Sequence, residues 1–433
     1  MDTTPFHLIL FALDIVVLGG LFLWIRIRRV STAKRSDVYQ YEKSLYTQAK
    51  TPRLSSFTWD IIGVVLFGGF GFVCFAVLSR LIFTDYVQKH VYHFNVGQCI
   101  AEGIAIHGTL CFAVIAALLY WNRREIIAAL FGCCAAFLAI AGFNCLYWEP
   151  YHVKVEYYRI ETAKVKNPLR IVFVSDIQTD RITSHEINTL KKIQRQNADL
   201  IILGGDYLQT FGGTREKELA EQFRQMLIDH PLKAPLGVYA IAGNISVSDV
   251  HDKDLFKYTD EKTGKEYDTG IDWYQDTVLF DALGEEEHLG PIDLILLKLG
   301  DSWGNVGERG LTDSGNFIVM AGHCPNYAID GYTNPKSGRS LSGYRNAERA
   351  PDLMLAGHTH GGQVALPFYG NIPFGGDDRA EQIPLKMRSG FSAYPNGGHV
   401  LVTRGSGLER GWAPRIRLFC PSEISVIDIV PAK

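Results

Sequence analysis

The chain has 433 residues, a formal net charge of -3 at pH 7 and 47% hydrophobic residues. This length is typical of more than one domain, and the near-neutral charge excludes a strong electrostatic attraction to nucleic acid. We therefore expect no nucleic-acid partner. Six of the eight cysteines precede residue 150, in an apolar part of the sequence, so they do not form the spacing pattern of a disulfide framework.

The first 150 residues are mostly apolar and contain four hydrophobic runs, at positions 6–27, 59–83, 100–121 and 126–148. Each run approaches the roughly 20 residues that a helix needs to cross the hydrocarbon core of a bilayer. The first run lacks the basic segment and the small-residue cleavage site of a signal peptide. The sequence therefore predicts a transmembrane region of four helices over residues 1–150, followed by a soluble domain over residues 151–433.

Lysine and arginine collect in two of the loops between these runs. The third loop carries Arg123 and Arg124, and the first loop carries Arg26, Arg28, Arg29, Lys34, Arg35, Lys43, Lys50 and Arg53. Positively charged loops are retained on the cytoplasmic side, so these two loops are expected to be cytoplasmic. The N-terminus and all residues after Trp148 are then expected on the other side of the membrane.

Three ionisable residues, Asp14, Glu102 and His107, lie in or near the apolar runs. An ionisable group at membrane depth indicates a functional site by default, which makes a transporter with a soluble regulatory domain one hypothesis. We favour the alternative, in which these residues lie near the interface or hydrogen-bond between helices, because no repeat of such residues marks a conduction path.

The soluble part alternates short apolar runs with polar segments. Its apolar runs predict strands at 169–174, 199–203, 237–241, 294–299, 317–320, 353–356, 399–403 and 424–430. Helices are predicted at 187–196 and 215–230, and an opening strand or hairpin at 153–160. The charged, weakly periodic segment 246–281 is interpreted as an insertion or a mobile excursion.

A residue that can bind a metal follows several of the predicted strands, next to glycine. These residues are Asp176, Asp206, Asn244, His323, His358 and His360. Each one alone is more simply explained as a helix cap or a turn residue. Strand ends converge on one edge of a sheet, however, so the recurrence at successive ends predicts a common site. The two closely spaced histidines lie in a glycine-rich turn, where both imidazoles can point at one centre.

In this order, these residues resemble the motifs of the calcineurin-like metallophosphoesterases, and in particular their membrane-associated bacterial branch. The resemblance runs from about residue 169 to the C-terminus and rests on Asp176, Gly205-Asp206, Gly243-Asn244, Gly322-His323 and Gly357-His358-Thr359-His360-Gly361-Gly362-Gln363. The last motif is the most specific. The resemblance implies an α/β domain built as a four-layer αββα sandwich. Together with the four predicted spans and the distribution of lysine and arginine, the bacterial branch leads us to expect a multi-pass protein of the bacterial inner membrane, with the catalytic domain outside the cytoplasm.

The resemblance also implies a centre of two divalent metal ions, with Asp206 bridging both. One ion would be bound by Asp176 and His360, and the other by Asn244, His323 and His358. Catalytic roles then fall on Asp206, Asn244 and His323. Carboxylate, amide and imidazole donors suit Mn²⁺, Fe or Zn²⁺, of which we favour Mn²⁺. Two such ions roughly 3.5 to 4 Å apart activate a shared water and neutralise the oxygens of a displacement at phosphorus.

The chain departs from the family pattern at two positions. Gln178 stands where the family usually has a histidine, so we expect it to be a metal ligand, but a poorer one. Ile245 stands where the family has the histidine near the leaving group, and His251 or a water is left to replace it. A general acid contributes about 10² to 10⁴-fold for an alkoxide leaving group, whereas a phosphate needs less help. The loss therefore favours an anhydride or an activated ester as substrate.

The leading hypothesis is a membrane-anchored, metal-dependent phosphoesterase that acts on a phosphorylated envelope component: a lipid, a lipid-linked sugar or a nucleotide sugar. The alternative is a catalytically degenerate domain that binds phosphate-bearing ligands and signals through the membrane helices, which Gln178 and Ile245 motivate. Tyr327, Arg404 and Arg410 remain open between phosphate contacts and ordinary loop residues.

Overall fold

The computed structural model describes residue 20 and residues 104–121, 124–209, 214–245, 250–284, 291–303, 315–328, 351–368, 370–372, 388–393, 398–409 and 415–432. The chain divides into two compact units, Met1–Phe143 and Asn144–Lys433. The predicted membrane runs at 6–27, except residue 20, and at 59–83 lie outside the described residues. Asp14 and Glu102 also lie outside them.

The described part of the first unit contains two apolar helices. Helix α1 covers Thr109–Trp121, and helix α2 covers Glu125–Phe143. A π-helical turn at Ile104–Gly108 precedes α1 and approaches α2 closely. A Cβ atom at Gly142 would overlap Ala105 of this turn, so glycine permits the close approach.

Two segments, Ile104–Trp121 and Glu125–Trp148, could cross a membrane by their length and apolar composition. They match the third and fourth predicted runs, and His107 lies in the π-helical turn at the start of the first segment. The described chain thus has two candidate spans before the second unit. The arrangement of four transmembrane helices stays a prediction.

The second unit is built on strands joined by short helices. In chain order the strands are β1 (Lys154–Thr162), β2 (Leu169–Val174), β3 (Leu200–Leu203), β4 (Val238–Ile241), β5 (Lys257–Thr259), β6 (Glu266–Asp268), β7 (Asp272–Tyr274), β8 (Val278–Leu283), β9 (Ile292–Leu296), β10 (Phe317–Ala321), β11 (Leu353–Ala356), β12 (Val364–Leu366), β13 (Gly370–Ile372), β14 (Gly390–Ala393), β15 (His399–Val402) and β16 (Glu423–Pro431). The helices are α3 (Ser184–Gln194), α4 (Thr214–Asp229) and α5 (Leu299–Ser302).

Twelve of these strands form two six-stranded sheets. The first sheet has the order β1-β16-β2-β3-β4-β7, and its pairs are parallel except β16–β2. The second sheet has the order β14-β15-β11-β10-β9-β8 and is antiparallel only in the pairs at its two edges. Strands β3 and β4 of the first sheet and β10 and β11 of the second carry no charged residue and are buried along their whole length, as parallel strands covered on both faces require.

The main apolar core lies between the two sheets. Phe173 and Ile202 of the first sheet pack in one cluster with Val319 and Leu355 of the second sheet, and all four side chains are fully buried. Burial of apolar area is the dominant favourable term in folding, so this layer fixes the two sheets against each other.

Helices cover the outer face of the first sheet. Ile193 of α3 and Phe223 of α4 belong to one buried cluster with Val172 of β2. On the outer face of the second sheet, Tyr327 of the short turn Pro325–Ala328 packs in a cluster with Met320. The helix, sheet and sheet layers of the predicted αββα sandwich are therefore present. On the fourth side, the described chain has a short turn in place of a long helix.

The unit opens with a strand, which is one of the two predicted alternatives, and this strand β1 pairs in parallel with β16, Lys154 opposite Glu423. One helix differs in detail from the prediction. Helix α3 begins three residues earlier than predicted, because Thr183 and Glu186 form a capping box. The Thr183 side chain accepts a backbone N–H of the first helical turn, and the Glu186 side chain accepts the backbone N–H of Thr183.

The interpretation of segment 246–281 as an excursion is wrong for its described part. Strand β7 pairs with β4 at the edge of the first sheet, and Leu255, Phe256 and Ile271 are buried in the core. The polar hairpin β5–β6 separates these apolar residues in the sequence. Their hydrophobic pattern therefore has no single period that could be recognised.

Three buried residues near the C-terminus donate hydrogen bonds to residues 144–150. The pairs are Arg417 N–H to Cys145 O at 2.9 Å, Cys420 N–H to Glu149 Oε2 at 3.1 Å, and Ser422 Oγ to Pro150 O at 3.2 Å. The π-helical turn Asn144–Trp148 is therefore tied by hydrogen bonds to the α/β unit that follows it.

We expect Phe173→Ala to lower the free energy of unfolding by about 3–5 kcal/mol, because it removes a ring from the core between the sheets and leaves a cavity. Phe368→Ala is the matched control, since Phe368 is fully exposed. Thermal unfolding of the full chain in detergent measures both changes. Equal midpoints for the two variants would contradict the assignment of Phe173 to the core.

Candidate metal centre

The predicted ligands leave the carboxyl ends of five parallel strands. Asp176 follows β2, Asp206 follows β3, Asn244 follows β4, His323 follows β10, and His358 and His360 follow β11. Strands β2, β3 and β4 are neighbours in the first sheet, and β10 and β11 are neighbours in the second. The contacts described below link all six residues, and also Gln178, into one cluster at this edge, where open α/β sheets place their ligands.

Several residues of these loops have a left-handed backbone conformation, with positive φ. Six of the ten described non-glycine residues with positive φ are Asp176, Gln178, Asp206, His358, His360 and Gln363. Backbone in such sparsely populated regions costs of order 1–3 kcal/mol per residue and clusters at functional sites. Strain is therefore concentrated where the ligands leave the strands.

His323 is fully buried and contacts two other predicted ligands. Its Nδ1 lies 2.8 Å from Gly204 O, so Nδ1–H donates to this carbonyl. Its Nε2 lies 2.6 Å from Asn244 Oδ1 and 3.3 Å from Asp206 Oδ2, which are both acceptors. Nε2 must therefore either carry a second proton or share a cation with these oxygens.

Asn244 joins His323 to His358. Its Oδ1 lies 2.8 Å from His358 Nδ1 and thus meets one nitrogen of each imidazole. The His358 ring packs edge-on against Trp303, with ring centroids 4.9 Å apart, and this contact limits its rotation. Two imidazole nitrogens and one amide oxygen converge on this side of the cluster.

Asp176 and His360 form the other side. The Asp176 carboxylate accepts the His358 N–H at 3.0 and 3.1 Å and lies 3.7 Å from His360 Nε2. Neither ring nitrogen of His360 has a hydrogen-bond partner, although both are buried. Burial first, and then Arg417, lower the pKa of His360 well below its ordinary value, so its ring is neutral and can offer a lone pair.

Gln178 is buried beside Asp206. Its backbone N–H donates to Asp206 O at 2.9 Å, and its side-chain Nε2 donates to Asp206 Oδ2 at 3.0 Å and to Glu409 Oε2 at 3.2 Å. The side-chain oxygen Oε1 is buried and has no hydrogen-bond partner. Gln178 therefore reaches the cluster, but its amide nitrogen and not its oxygen contacts Asp206.

The negative charge of the two buried aspartates is partly compensated by the protonated His323. Burial first, and the neighbouring Asp206, raise the pKa of Asp176 to about 7. Burial works against the charged forms of Asp206 and His323 as well. Their mutual attraction nevertheless holds the pKa of Asp206 below its ordinary value and raises the pKa of His323 to about 9. In the metal-free protein at pH 7, protons therefore compensate part of the carboxylate charge.

This donor set fits a divalent metal centre. One ligand atom each of Asp176, Asp206 and His323 lie within 4.8 Å of one another. The nitrogens of His360 and the Oε1 of Gln178 are buried polar atoms without a protein partner, and such atoms normally have one. Carboxylate, amide and imidazole groups together suit Mn²⁺, Fe or Zn²⁺.

A buried arginine supports the loops of the centre. The Arg417 guanidinium is fully buried and donates to the backbone carbonyls of Arg404, Gly405, Gly407 and Cys420. Gly407 N–H in turn donates to Asp176 O at 2.8 Å. Burial lowers the pKa of Arg417 from its ordinary value. Arg417 therefore fixes the chain that holds the first aspartate.

Cys420 supports the histidine loop in the same way. Its Sγ lies 3.5 Å from His360 O and 3.4 Å from Gly361 O, so the thiol donates to the backbone of the most specific motif. Burial raises the pKa of this thiol, which therefore stays protonated and keeps its donor.

Tyr327 and Arg404, which the sequence left open as possible phosphate contacts, have structural roles. The Tyr327 hydroxyl is buried and donates to the carbonyls of Met320 and Leu355. Arg404 pairs with Glu156 at 2.8 Å and with Glu423 at 3.0 Å. Arg410 lies outside the described residues. None of these contacts, in the described part of the chain, makes a phosphate site of Tyr327 or Arg404.

Two acidic residues near the centre were not predicted. Glu409 contacts Gln178, and the Asp252 carboxyl accepts the N–H of Gly243, next to Asn244. Burial first, and Asp206 second, raise the pKa of Asp252 to about 7, so it can hold a proton at neutral pH. Neither could be identified from the sequence, because neither directly follows a predicted strand. By contrast, His251 is exposed, and Ile245 contributes its N–H to Asp206 Oδ1 at 2.8 Å.

Two packed α/β sheets with a carboxylate, amide and imidazole cluster at the ends of their parallel strands define a metal-dependent enzyme. Residues 169–362 match the profile of the calcineurin-like phosphoesterase family. The resemblance drawn from the sequence motifs is thus confirmed.

The relatives agree with this assignment. The metallophosphoesterase YkuE of Bacillus subtilis is 26% identical over 324 residues, which are 71% of this chain and 97% of that protein. The phosphodiesterase YaeI of Escherichia coli is 24% identical over 318 residues, which are 71% of this chain and 99% of that protein. A metallophosphoesterase of Aquifex aeolicus is 23% identical over 311 residues, 68% of this chain and 98% of that protein. The family and its relatives support a metal-dependent phosphoesterase.

One solved structure, described as GAP50, the anchor in the inner membrane complex of Plasmodium, aligns with 57% of this chain and 75% of that chain. Its TM-score is 0.27 and its sequence identity 13%, which is too weak a similarity to bear on fold or function.

We expect Gly357→Ala to weaken Mn²⁺ binding by more than about tenfold, because its Cβ would overlap the side chains of Ser175 and Asp176 and displace a ligand. Gly300→Ala is the matched control, since a Cβ there meets nothing within 4 Å. Calorimetric titration of the EDTA-treated full chain in detergent measures both affinities. Equal affinities would show that Asp176 is not a ligand.

Metal binding should release protons and should strengthen as the pH rises. His323 holds a proton up to a pKa of about 9 and Asp176 up to about 7, and both must be deprotonated to bind a cation. Titrations with Mn²⁺ at pH 7 in two buffers of different ionisation enthalpy should therefore show a net release of protons. Affinity should increase steadily from pH 6 towards pH 9. Binding without proton release would contradict the participation of His323.

Proposed function

We propose that this protein hydrolyses a phosphoric ester or anhydride with two divalent metal ions, and we favour Mn²⁺. The observation that carries the proposal is the convergence of seven side chains from five strand ends, two of which, His360 and Gln178, present buried polar atoms that no protein group satisfies. A centre built for cations explains these atoms, whereas a purely structural cluster would leave them uncompensated.

The contacts of the cluster support a division into two metal sites. Asp206 would be shared by the two ions, since its Oδ2 contacts both His323, from the second group of ligands, and Gln178, from the first. The ligands of the first ion would be Asp176, Gln178 and His360, and those of the second Asn244, His323 and His358. When bound, the two ions would supply Lewis-acid activation of water and would neutralise the oxygens of the phosphoryl group.

The chain's own residues orient this chemistry. Gly204 O holds His323 Nδ1–H, so Nε2 faces Asp206 and Asn244, and this second contact of the imidazole fixes its tautomer. We assign catalytic roles to Asp206, Asn244 and His323, because His323 joins the side chains of the other two in one group. The Ile245 N–H keeps Asp206 in place, although its side chain supplies no proton.

The absent histidine at Ile245 supports a substrate with a good leaving group. A phosphate leaving group depends little on a general acid, so an anhydride or an activated ester suits this centre. Asp252, which is half-buried near the third motif and titrates near neutral pH, is placed to supply a proton if one is needed. A phosphorylated lipid, a lipid-linked sugar or a nucleotide sugar has the required chemistry.

The two apolar helices support membrane anchoring. We propose that the helices place the catalytic domain at the outer face of the inner membrane of a bacterial cell, as the distribution of lysine and arginine predicts. A domain fixed there would meet phosphorylated components of the cell envelope. This location therefore makes an envelope component the substrate class of choice.

Asp206→Ala should lower the hydrolysis rate by at least about 100-fold, because removal of even an outer partner of a metal ligand costs about 10–100-fold and this residue would contact both ions. Asp229→Ala removes an exposed carboxylate at the end of α4 and is the matched control. The full chain in detergent, depleted of metal and then supplied with Mn²⁺, is assayed with bis-p-nitrophenyl phosphate and with a nucleoside diphosphate sugar.

The outcomes separate the two hypotheses of function. Hydrolysis that needs Mn²⁺ and is lost in Asp206→Ala supports the enzyme. Metal and phosphate binding without turnover of either substrate would support the degenerate ligand-binding alternative that Gln178 and Ile245 motivate. A wild-type protein that takes up no divalent ion would rule out the metal centre and with it the proposed hydrolase.

A further inference from the structure

The orientation of the Gln178 side chain is fixed by two carboxylates. Its Nε2 lies 3.0 Å from Asp206 Oδ2 and 3.2 Å from Glu409 Oε2. Both atoms are acceptors, so only the –NH₂ end of the amide can face them. The Oε1 end must then point away, and it is the atom that is buried without a partner. The side-chain amide of Gln178 is thus fixed in orientation, and its Oε1 has no hydrogen-bond partner.

Glu409 is held in place from three loops by glutamines. Gln178 occupies its Oε2, and Gln209 donates to its Oε1 at 2.7 Å. The backbone N–H of Glu409 donates to Gln363 Oε1 at 2.8 Å, and Gln363 closes the histidine motif. The position of this carboxylate is therefore coupled to the loops that follow β2, β3 and β11.

We propose that Glu409 is a positioning residue of the metal centre, which accepts a hydrogen bond from the Gln178 amide and so directs and polarises Gln178 Oε1 as a ligand of the first ion. This inference rests on the proposed function. Carboxylates that accept the free N–H of a ligating histidine orient that ligand and raise its basicity. Glu409 does the same for an amide, which offsets the weaker binding of an amide oxygen in place of an imidazole.

The arrangement also changes the chemical character of the first site. An amide oxygen replaces an imidazole nitrogen, and it is oriented by a carboxylate beside the two buried aspartates. Oxygen donors favour Mn²⁺ over softer ions, whereas imidazole suits Zn²⁺ well. Glu409 therefore sets both the affinity and the metal preference of this site.

Glu409→Gln should weaken one of two Mn²⁺ sites by about 10–100-fold and leave the other unchanged. Glu161→Gln is the matched control, because it makes the same change at an exposed position on β1. Metal content after dialysis and calorimetric titration of the full chain in detergent give the two affinities, and thermal unfolding of the metal-free proteins reports on the fold. Equal loss at both sites, or no loss, overturns the inference.

A double-mutant cycle tests whether Glu409 acts through Gln178. In a Gln178→Ala background the loss caused by Glu409→Gln should shrink, since no amide is left to orient, and the cycle of four variants measures this coupling. A separate Gln178→His variant should shift the preference of the site from Mn²⁺ towards Zn²⁺. An undiminished loss, or an unchanged preference, would assign Glu409 a general structural role and overturn the inference.

A milder variant covers the case in which Glu409→Gln does not fold. Gln209→Ala removes the hydrogen bond to Glu409 Oε1 and leaves the Glu409 carboxylate in place, so it should weaken the same single site to a smaller extent. Unchanged binding in this variant would overturn the inference. Failure of the proposed function looks different, because the wild-type chain would then either bind no divalent ion or bind Mn²⁺ without hydrolysing either substrate.

Discussion

Two aspartates, Asp176 and Asp206, are buried together without access to water, and the compensation of their charge is the constraint on which the site depends. An isolated buried carboxylate is too costly to persist, so it binds a proton, pairs with a cation or coordinates a metal. The metal-free protein uses protons, as the raised pKa of Asp176 and of His323 indicates. Divalent ions would replace those protons. The surrounding imidazoles and amides are arranged for this exchange.

The fold provides the rigidity that such a site requires. Left-handed backbone at six ligand-bearing or adjacent positions is unfavourable by of order 1–3 kcal/mol each, and it persists only where the surroundings hold it. Here the loops are anchored in fully buried parallel strands, and Arg417 satisfies four backbone carbonyls of the supporting chain. The apolar layer between the sheets therefore stabilises a strained edge that could not form by itself.

Much of this arrangement could be predicted from the sequence, because it is local. Short apolar runs predicted β2, β3, β10 and β11, and the metal-capable residues after them meet as expected. Strand β7 was missed, since an edge strand of three partly polar residues has no recognisable period. The contact between Gln178 and Glu409 could not be predicted either, because it joins residues 231 positions apart that share no motif. Long-range side-chain contacts become visible only when the chain is folded.

The hydrogen bonds between residues 144–150 and the C-terminal segment limit where the chain can be truncated to obtain the catalytic domain alone. A fragment that begins at residue 151 would leave the N–H groups of Arg417 and Cys420 without acceptors, and a buried donor in that state costs about 1–3 kcal/mol. Cys420 also holds the backbone of His360, so the damage would reach the histidine loop. Expression of an active water-soluble fragment would therefore have to retain the turn from Asn144, together with the apolar side chains that it carries.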